Sequence, residues 1–127
     1  MRDYQREKNN QYHLPKDLYR QTLYLIRDYY RLIEEYGDMI DEGPDPENVG
    51  GGGPGDPTGA LAVRLESVHD RVTAIEKAKK SIPEEYIPGI WKNIIWGSRY
   101  PDDANRSTYG RWKARFVYQV AKNMHWI

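Results

Sequence analysis

The sequence predicts an all-α protein, a long antiparallel helical hairpin followed by a compact C-terminal helical module. Three observations carry this expectation. Apolar residues recur in alternating steps of four and three through two long stretches, the spacing that lets one helix lie along another. Two shorter apolar-periodic stretches follow, divided by a polar turn. Nothing in the chain reads as a strand. A length of 127 residues fits one compact domain, or a small domain with an extended part.

Residues 1–13 are polar and aperiodic, which predicts a frayed arm. Pro15 suits a first helical turn, where its missing N–H costs nothing, and a helix is expected over residues 14–42, before Gly43-Pro44. Its seam is Leu18, Thr22, Leu25, Tyr29, Leu32, Tyr36 and Met39, widened by Leu14, Ile26, Ile33 and Ile40. Tyrosines at this spacing read as packing rather than as a base-stacking platform. Residues 43–57 hold six glycines and four prolines and predict a flexible linker. The glycine run lacks the Gly-Lys-Ser/Thr ending of a phosphate-binding loop.

Asp56-Pro57 supplies an N-cap and a first-turn proline for a second helix over residues 58–81. Leu61, Leu65, Val68, Val72, Ile75 and Ile82 form its seam, broken only by Lys79. Such helices close as a hairpin within one chain or pair between two, and the exposed heptad seams make a homodimer the expectation. Pro83, Glu84 and Glu85 suit the start of another helix. Ile87, Ile90, Trp91, Ile94 and Ile95 then make a short apolar helix whose first turn Pro88 and Gly89 weaken, with Gly97 as its C-cap. After the polar connection Ser98–Arg106, with Asn105 or Ser107 as cap, comes the last helix. At about 100° per residue, Tyr109, Trp112, Phe116, Val120 and Met124 make its apolar stripe. Thr108, Arg111, Arg115, Tyr118 and Lys122 fall opposite, with Ser107 and Ala114 beside them.

Composition narrows the function. There is no cysteine, which removes disulfides, cysteine-ligated zinc and thiol nucleophiles. No run approaches a membrane span, and the N-terminus has no signal-peptide core, so a soluble cytoplasmic protein without membrane association is expected. Net charge is zero, yet residues 86–127 carry seven Lys and Arg against two acids, leaving the earlier part acidic. That asymmetry points to a nucleic-acid partner. Eleven Tyr and four Trp against one Phe suit half-buried seams and interfaces. Asp102-Asp103 has no histidine in sequence reach, and His13, His69 and His125 form no metal spacing. No enzyme activity, cofactor or metal is expected. A core-anchored helix with a basic stripe could lie in a DNA major groove; the competing reading is a terminal helix that keeps its charges in water.

Ile82-Pro83-Glu84-Glu85-Tyr86, a hydrophobic helix, a short polar turn and a Ser-Thr-led basic-aromatic helix are together similar to region 4 of sigma factors, a promoter-reading helix-turn-helix. From Leu14 onward the layout resembles Firmicutes phage and prophage regulators of the RinA/ArpU type, on the segments DLYRQTLYLIRDYYRLIEEY, DPTG, IPEEYIPGIW and YPDDANRSTYGRWKARFVYQVAKN. The resemblance implies a helix-turn-helix-like module at residues 82–127 and a phage-type late-transcription regulator that binds double-stranded DNA, with host RNA polymerase as a further partner. It maps Arg106, Ser107, Thr108, Arg111, Arg115 and Tyr118 to positions facing DNA. Arg111 or Arg115 would read guanine, and Ser107, Thr108 and Lys122 would reach phosphates. The chain departs from the pattern in its connection, Ser98–Arg106, which is too short for a complete scaffold helix. The alternative is a protein-interaction module, a phage-encoded inhibitor or adaptor acting on a host protein through the hairpin or through Trp91, Trp96, Trp112 and Trp126.

Overall fold

Asp28 interrupts the first helix. The computed structural model describes Gln5, residues 10–41 and residues 57–127, and where a single helix is expected over 14–42 it has two, α1 (Lys16–Arg27) and α2 (Tyr29–Asp41). Asp28 sits at φ −84° and ψ 0°, its N–H shared between the Tyr24 and Leu25 carbonyls at 3.1 and 3.2 Å. Leu32 N–H still reaches Asp28 C=O at 2.9 Å, so the hydrogen-bond ladder bends rather than ends. The two halves have different partners: α1 packs on α4 (Ile87–Trp96) and α5 (Arg106–Asn123), whereas α2 packs on α3 (Pro57–Lys79). A seam read as continuous therefore serves two interfaces. In α1 the buried face also takes in Tyr19 and Leu23, which the heptad reading passed over. The expected linker over 43–57 lies outside the described residues except for Pro57, which opens α3. The seam's last members, Met39 and Ile40, lie outside the residues whose side chains are described.

Among the described residues every element is helical, and the fold is all-α. The sense of the α2–α3 pair follows from its cross-contacts. Tyr29 hydroxyl donates to Glu76, the Tyr36 ring lies 5.9 Å from His69, and Glu35 pairs with Arg64 at 3.1 Å. Positions rise along α2 as they fall along α3, so the helices run in opposite directions. Lys79, where the α3 seam breaks, sets its ammonium 4.0 Å from the Trp91 ring centroid and 4.9 Å from that of Tyr29, with the Glu76 carboxylate at 3.6 Å. A cation over two rings replaces the apolar residue that the seam asks for.

One hydrophobic cluster joins all five helices, with Leu23 and Ile26 from α1, Leu32 from α2, Ile75 and Ala78 from α3, Ile90 and Ile94 from α4, and Phe116, Val117 and Val120 from α5. Residues 82–127 share this cluster with the helices before them. The start expected at Pro83 is a single 3-10 turn, Glu84–Tyr86, leading into α4. Gly97 ends α4 in the left-handed region at φ 68°, the conformation its expected C-cap role requires. At the end of α5 His125 takes the same region at φ 61°; its N–H bonds Lys122 C=O and that of Trp126 bonds Ala121 C=O, each at 3.0 Å, the Schellman pattern with histidine in the place usual for glycine.

What orients α5 is Tyr109, which is 0% exposed. Tyr100 stacks on its ring at 5.0 Å and 8°, Tyr86 meets it edge-on at 5.3 Å, and its hydroxyl donates to Asp103 Oδ1 at 2.6 Å. That bond engages one member of the Asp102-Asp103 pair in holding down the connection before α5. It also pushes the Tyr109 hydroxyl up to about 12, with burial adding to the effect. Gly89 of α4 makes the approach possible: a Cβ there would lie 2.7 Å from Pro101 Cδ and 2.8 Å from Tyr109 Cε1. The glycine that weakens the first turn of α4 is required by packing.

Gly89→Ala should therefore destabilise the protein by about 1–3 kcal/mol in urea denaturation, the usual cost of overpacking; an unchanged midpoint would mean that the Pro101 contact yields freely. A phenol whose pKa rises on folding contributes stability below its unfolded pKa of about 10, and that contribution is lost as pH climbs toward the folded value. Tyr29, Tyr100 and Tyr109 are each raised to about 12. Stability should hold to about pH 10 and then fall, and Tyr109→Phe, weaker at pH 8, should show a shallower alkaline decline in paired denaturation curves. An identical decline in both proteins would unlink the Tyr109 hydroxyl from it.

Candidate nucleic-acid interface

The buried face of α5 consists of Tyr109, Lys113, Phe116, Val117, Val120 and Ala121. It is turned from the expected stripe. Trp112 and Met124 are only half-buried, while Val117, Ala121 and even Lys113 go in. Lys113, 7% exposed, buries its stem and donates through Nζ to Asn93 Oδ1 at 2.7 Å. Asn93 Nδ2 in turn donates to Ser98 C=O at 2.9 Å, tying α5 to the end of α4. A positive charge that reads as surface is spent on structure, its amide partner meeting the demand that a buried ammonium be hydrogen-bonded. Asn105 is the N-cap residue of α5, but its side chain makes no capping bond. At the far end Asn123 Nδ2 donates to Ala74 C=O of α3 at 2.9 Å.

Opposite this face lie the residues expected to meet DNA. Arg106, Ser107, Arg111 and Lys122 are exposed; Thr108, Arg115 and Tyr118 are half-buried. The structure does not gather all seven in one place. Thr108, Arg111 and Arg115 line a cavity of about 250 Å³ together with Trp112 and two residues of the N-terminal arm, Gln11 and Tyr12. Tyr118 meets the Tyr12 ring edge-on at 5.3 Å. Lys122 stands apart, on an open groove of about 620 Å³ shared with Asp70, Thr73, Lys77 and His125. Arg106 lies near Tyr100, whose hydroxyl is raised to about 12 by burial and held back from rising further by that guanidinium. No carboxylate among the described residues is within ion-pair distance of Arg106, Arg111, Arg115 or Lys122.

The arm is the part that sequence reasoning missed. Its described residues are docked. The Gln5 side chain brackets Leu14, donating to its C=O and accepting from its N–H, both at 2.7 Å, and Leu14 is 1% exposed. The Asn10 side chain accepts from Tyr12 N–H at 3.0 Å and its C=O from His13 N–H at 3.3 Å, turning the chain back. Tyr12 thereby lands on α5, its ring centroid 5.9 Å from the Arg115 guanidinium. Only the asparagine turn and the Leu14-Pro15 anchor signal this locally.

The tryptophans proposed as one partner surface are dispersed. Trp91 is buried, with Nε1 donating to Tyr30 hydroxyl at 2.9 Å. Trp96 is 60% exposed and stacks on Tyr30 at 6.3 Å and 21°. Trp112 stacks on Tyr86 at 6.2 Å and 19°, and Trp126 packs against the core. Among the described residues no three His, Asp or Glu come together as a metal set, and no helix is long and apolar enough to cross a membrane. Comparison with protein-family models, with curated proteins and with solved structures gives no match to this chain.

Proposed function

We propose that this protein is a DNA-binding transcriptional regulator of phage type that presents the outer face of α5 to duplex DNA. The observation that supports this reading most is the division of α5. One face is buried and the other carries Arg106, Arg111, Arg115 and Lys122 with no carboxylate among the described residues to neutralise them. Unpaired cations along an anchored helix are what a phosphate backbone recruits. On this reading Arg111, exposed at mid-face, is the residue best placed for a bidentate contact to guanine, and Ser107 and Lys122 contact phosphates. Arg115 and Tyr118, half-covered by Tyr12, take part once the arm shifts or lies along the DNA itself. A homodimer would pair half-sites, with Ile33 and Val63, exposed on α2 and α3, as contact points for the second copy. RNA polymerase is the partner such a regulator would address.

A second reading has one observation of its own. Tyr24, Tyr30 and Trp96 are exposed, and aromatics of this kind are enriched where proteins bind proteins. An interaction module that acts on a host protein would use these aromatics, the stacked Tyr30–Trp96 pair above all, and leave α5 idle.

Fluorescence anisotropy of a labelled duplex across several salt concentrations separates the two. The DNA reading expects affinity to fall steeply with salt, and the Arg111→Ala/Arg115→Ala double variant to bind more weakly with a shallower log–log slope. Absence of duplex binding at low salt would remove it and leave the exposed aromatics as the residues to pursue.

A further inference from the structure

We propose that the cavity between the arm and α5 is a binding site for a phosphate group. The first reason is how Arg115 is held. Its guanidinium lies 5.9 Å from the Tyr12 ring centroid and 5.7 Å from that of Trp112, and Tyr86 stacks on Trp112 in turn. An arginine fixed between rings keeps its planar fork of donors in one orientation and loses little freedom when an anion arrives. Arg111, one helical turn earlier, brings a second fork to the same wall, and two forks suit the oxygens of a tetrahedral oxyanion. Thr108 adds a hydroxyl and Gln11 an amide, both uncharged donors.

The second reason is what the cavity lacks. Among the described residues no acidic side chain lines it, so an anion meets no opposing charge from them. The ring faces that would stack a flat base are already engaged, Trp112 by Tyr86 and Arg115, and Tyr12 by Arg115, with the Tyr118 ring at an angle beside it. A volume of about 250 Å³ leaves room for a compact anion with its water. The chemistry selects a phosphoryl oxyanion from either of two sources, a backbone phosphodiester or a free phosphomonoester. For the first source the proposal rests on the DNA reading. Gln11 and Tyr12 then become binding residues, because the arm completes the wall rather than merely covering it.

The test is titration calorimetry of the full chain at constant ionic strength, with inorganic phosphate as the monoester probe and dimethyl phosphate as the diester probe. Saturable binding of at least one is expected. Arg111→Ala and Arg115→Ala should each weaken it about tenfold or more. Arg115→Lys should also weaken it, since it keeps the charge but not the fork, and Tyr12→Ala should weaken it several-fold while circular dichroism reports an intact fold. Saturable binding of neither probe, or binding unchanged by Arg115→Lys and Tyr12→Ala, overturns the site. A preference for inorganic phosphate points to a free ligand; displacement of dimethyl phosphate by unlabelled duplex points to the backbone. Phosphate binding without duplex binding leaves the site standing and ends the DNA reading, and duplex binding without either probe does the reverse.

Discussion

The grip on Tyr109 decides how this molecule is put together. A tyrosine with no exposed surface needs a partner for its hydroxyl, and Asp103 supplies one from the connection before α5. It also needs room, and Gly89 supplies that by having no side chain where α4 comes closest. With Tyr100 and Tyr86 against its ring, Tyr109 fixes the rotation of α5 about its own axis. Everything on the opposite side inherits that rotation. Were α5 turned by one residue, about 100°, Lys113 would lose Asn93 and the basic stripe would face elsewhere.

Basic residues that look alike in the sequence are put to three uses. Lys113 is inside, answering an amide and locking two helices together. Lys79 and Arg115 lie over aromatic rings, one closing a break in a helix seam and the other held at a cavity wall. Arg106, Arg111 and Lys122 are left to solvent. A count of charge per segment runs these uses together, which is why the +5 balance of the C-terminal third overstates what α5 can offer a partner. The many tyrosines follow the same logic. Several set a ring against another ring and a hydroxyl on a polar group, as with Tyr29 on Glu76, Tyr30 on Trp91 and Tyr109 on Asp103.

Features set by local periodicity could be read from the sequence, and those set by distant contacts could not. The all-α class, the Gly97 cap and the outward position of Ser107, Arg111 and Lys122 follow from local pattern alone. The break at Asp28 does not, because nothing near it is a helix breaker; it arises where one helix must serve two partners. The rotation of the buried face of α5 escaped for a similar reason: only a view of Asn93 makes a lysine acceptable at position 113. The docked arm was least visible of all, since a glutamine bracketing a backbone and a tyrosine on an arginine leave no period to detect.

Tyr12 and Tyr118 stand near opposite ends of the chain yet touch. Contacts across so much sequence are costly in loop-closure entropy and form late in folding. The cavity wall is therefore finished only after α5 has been made and has settled against α1 and α3. A chain still on the ribosome, with its arm already out and α5 not yet released, would have no such surface to offer. The proposed binding wall thus arises in one step, once α5 has been made and has met the arm, rather than growing with the chain.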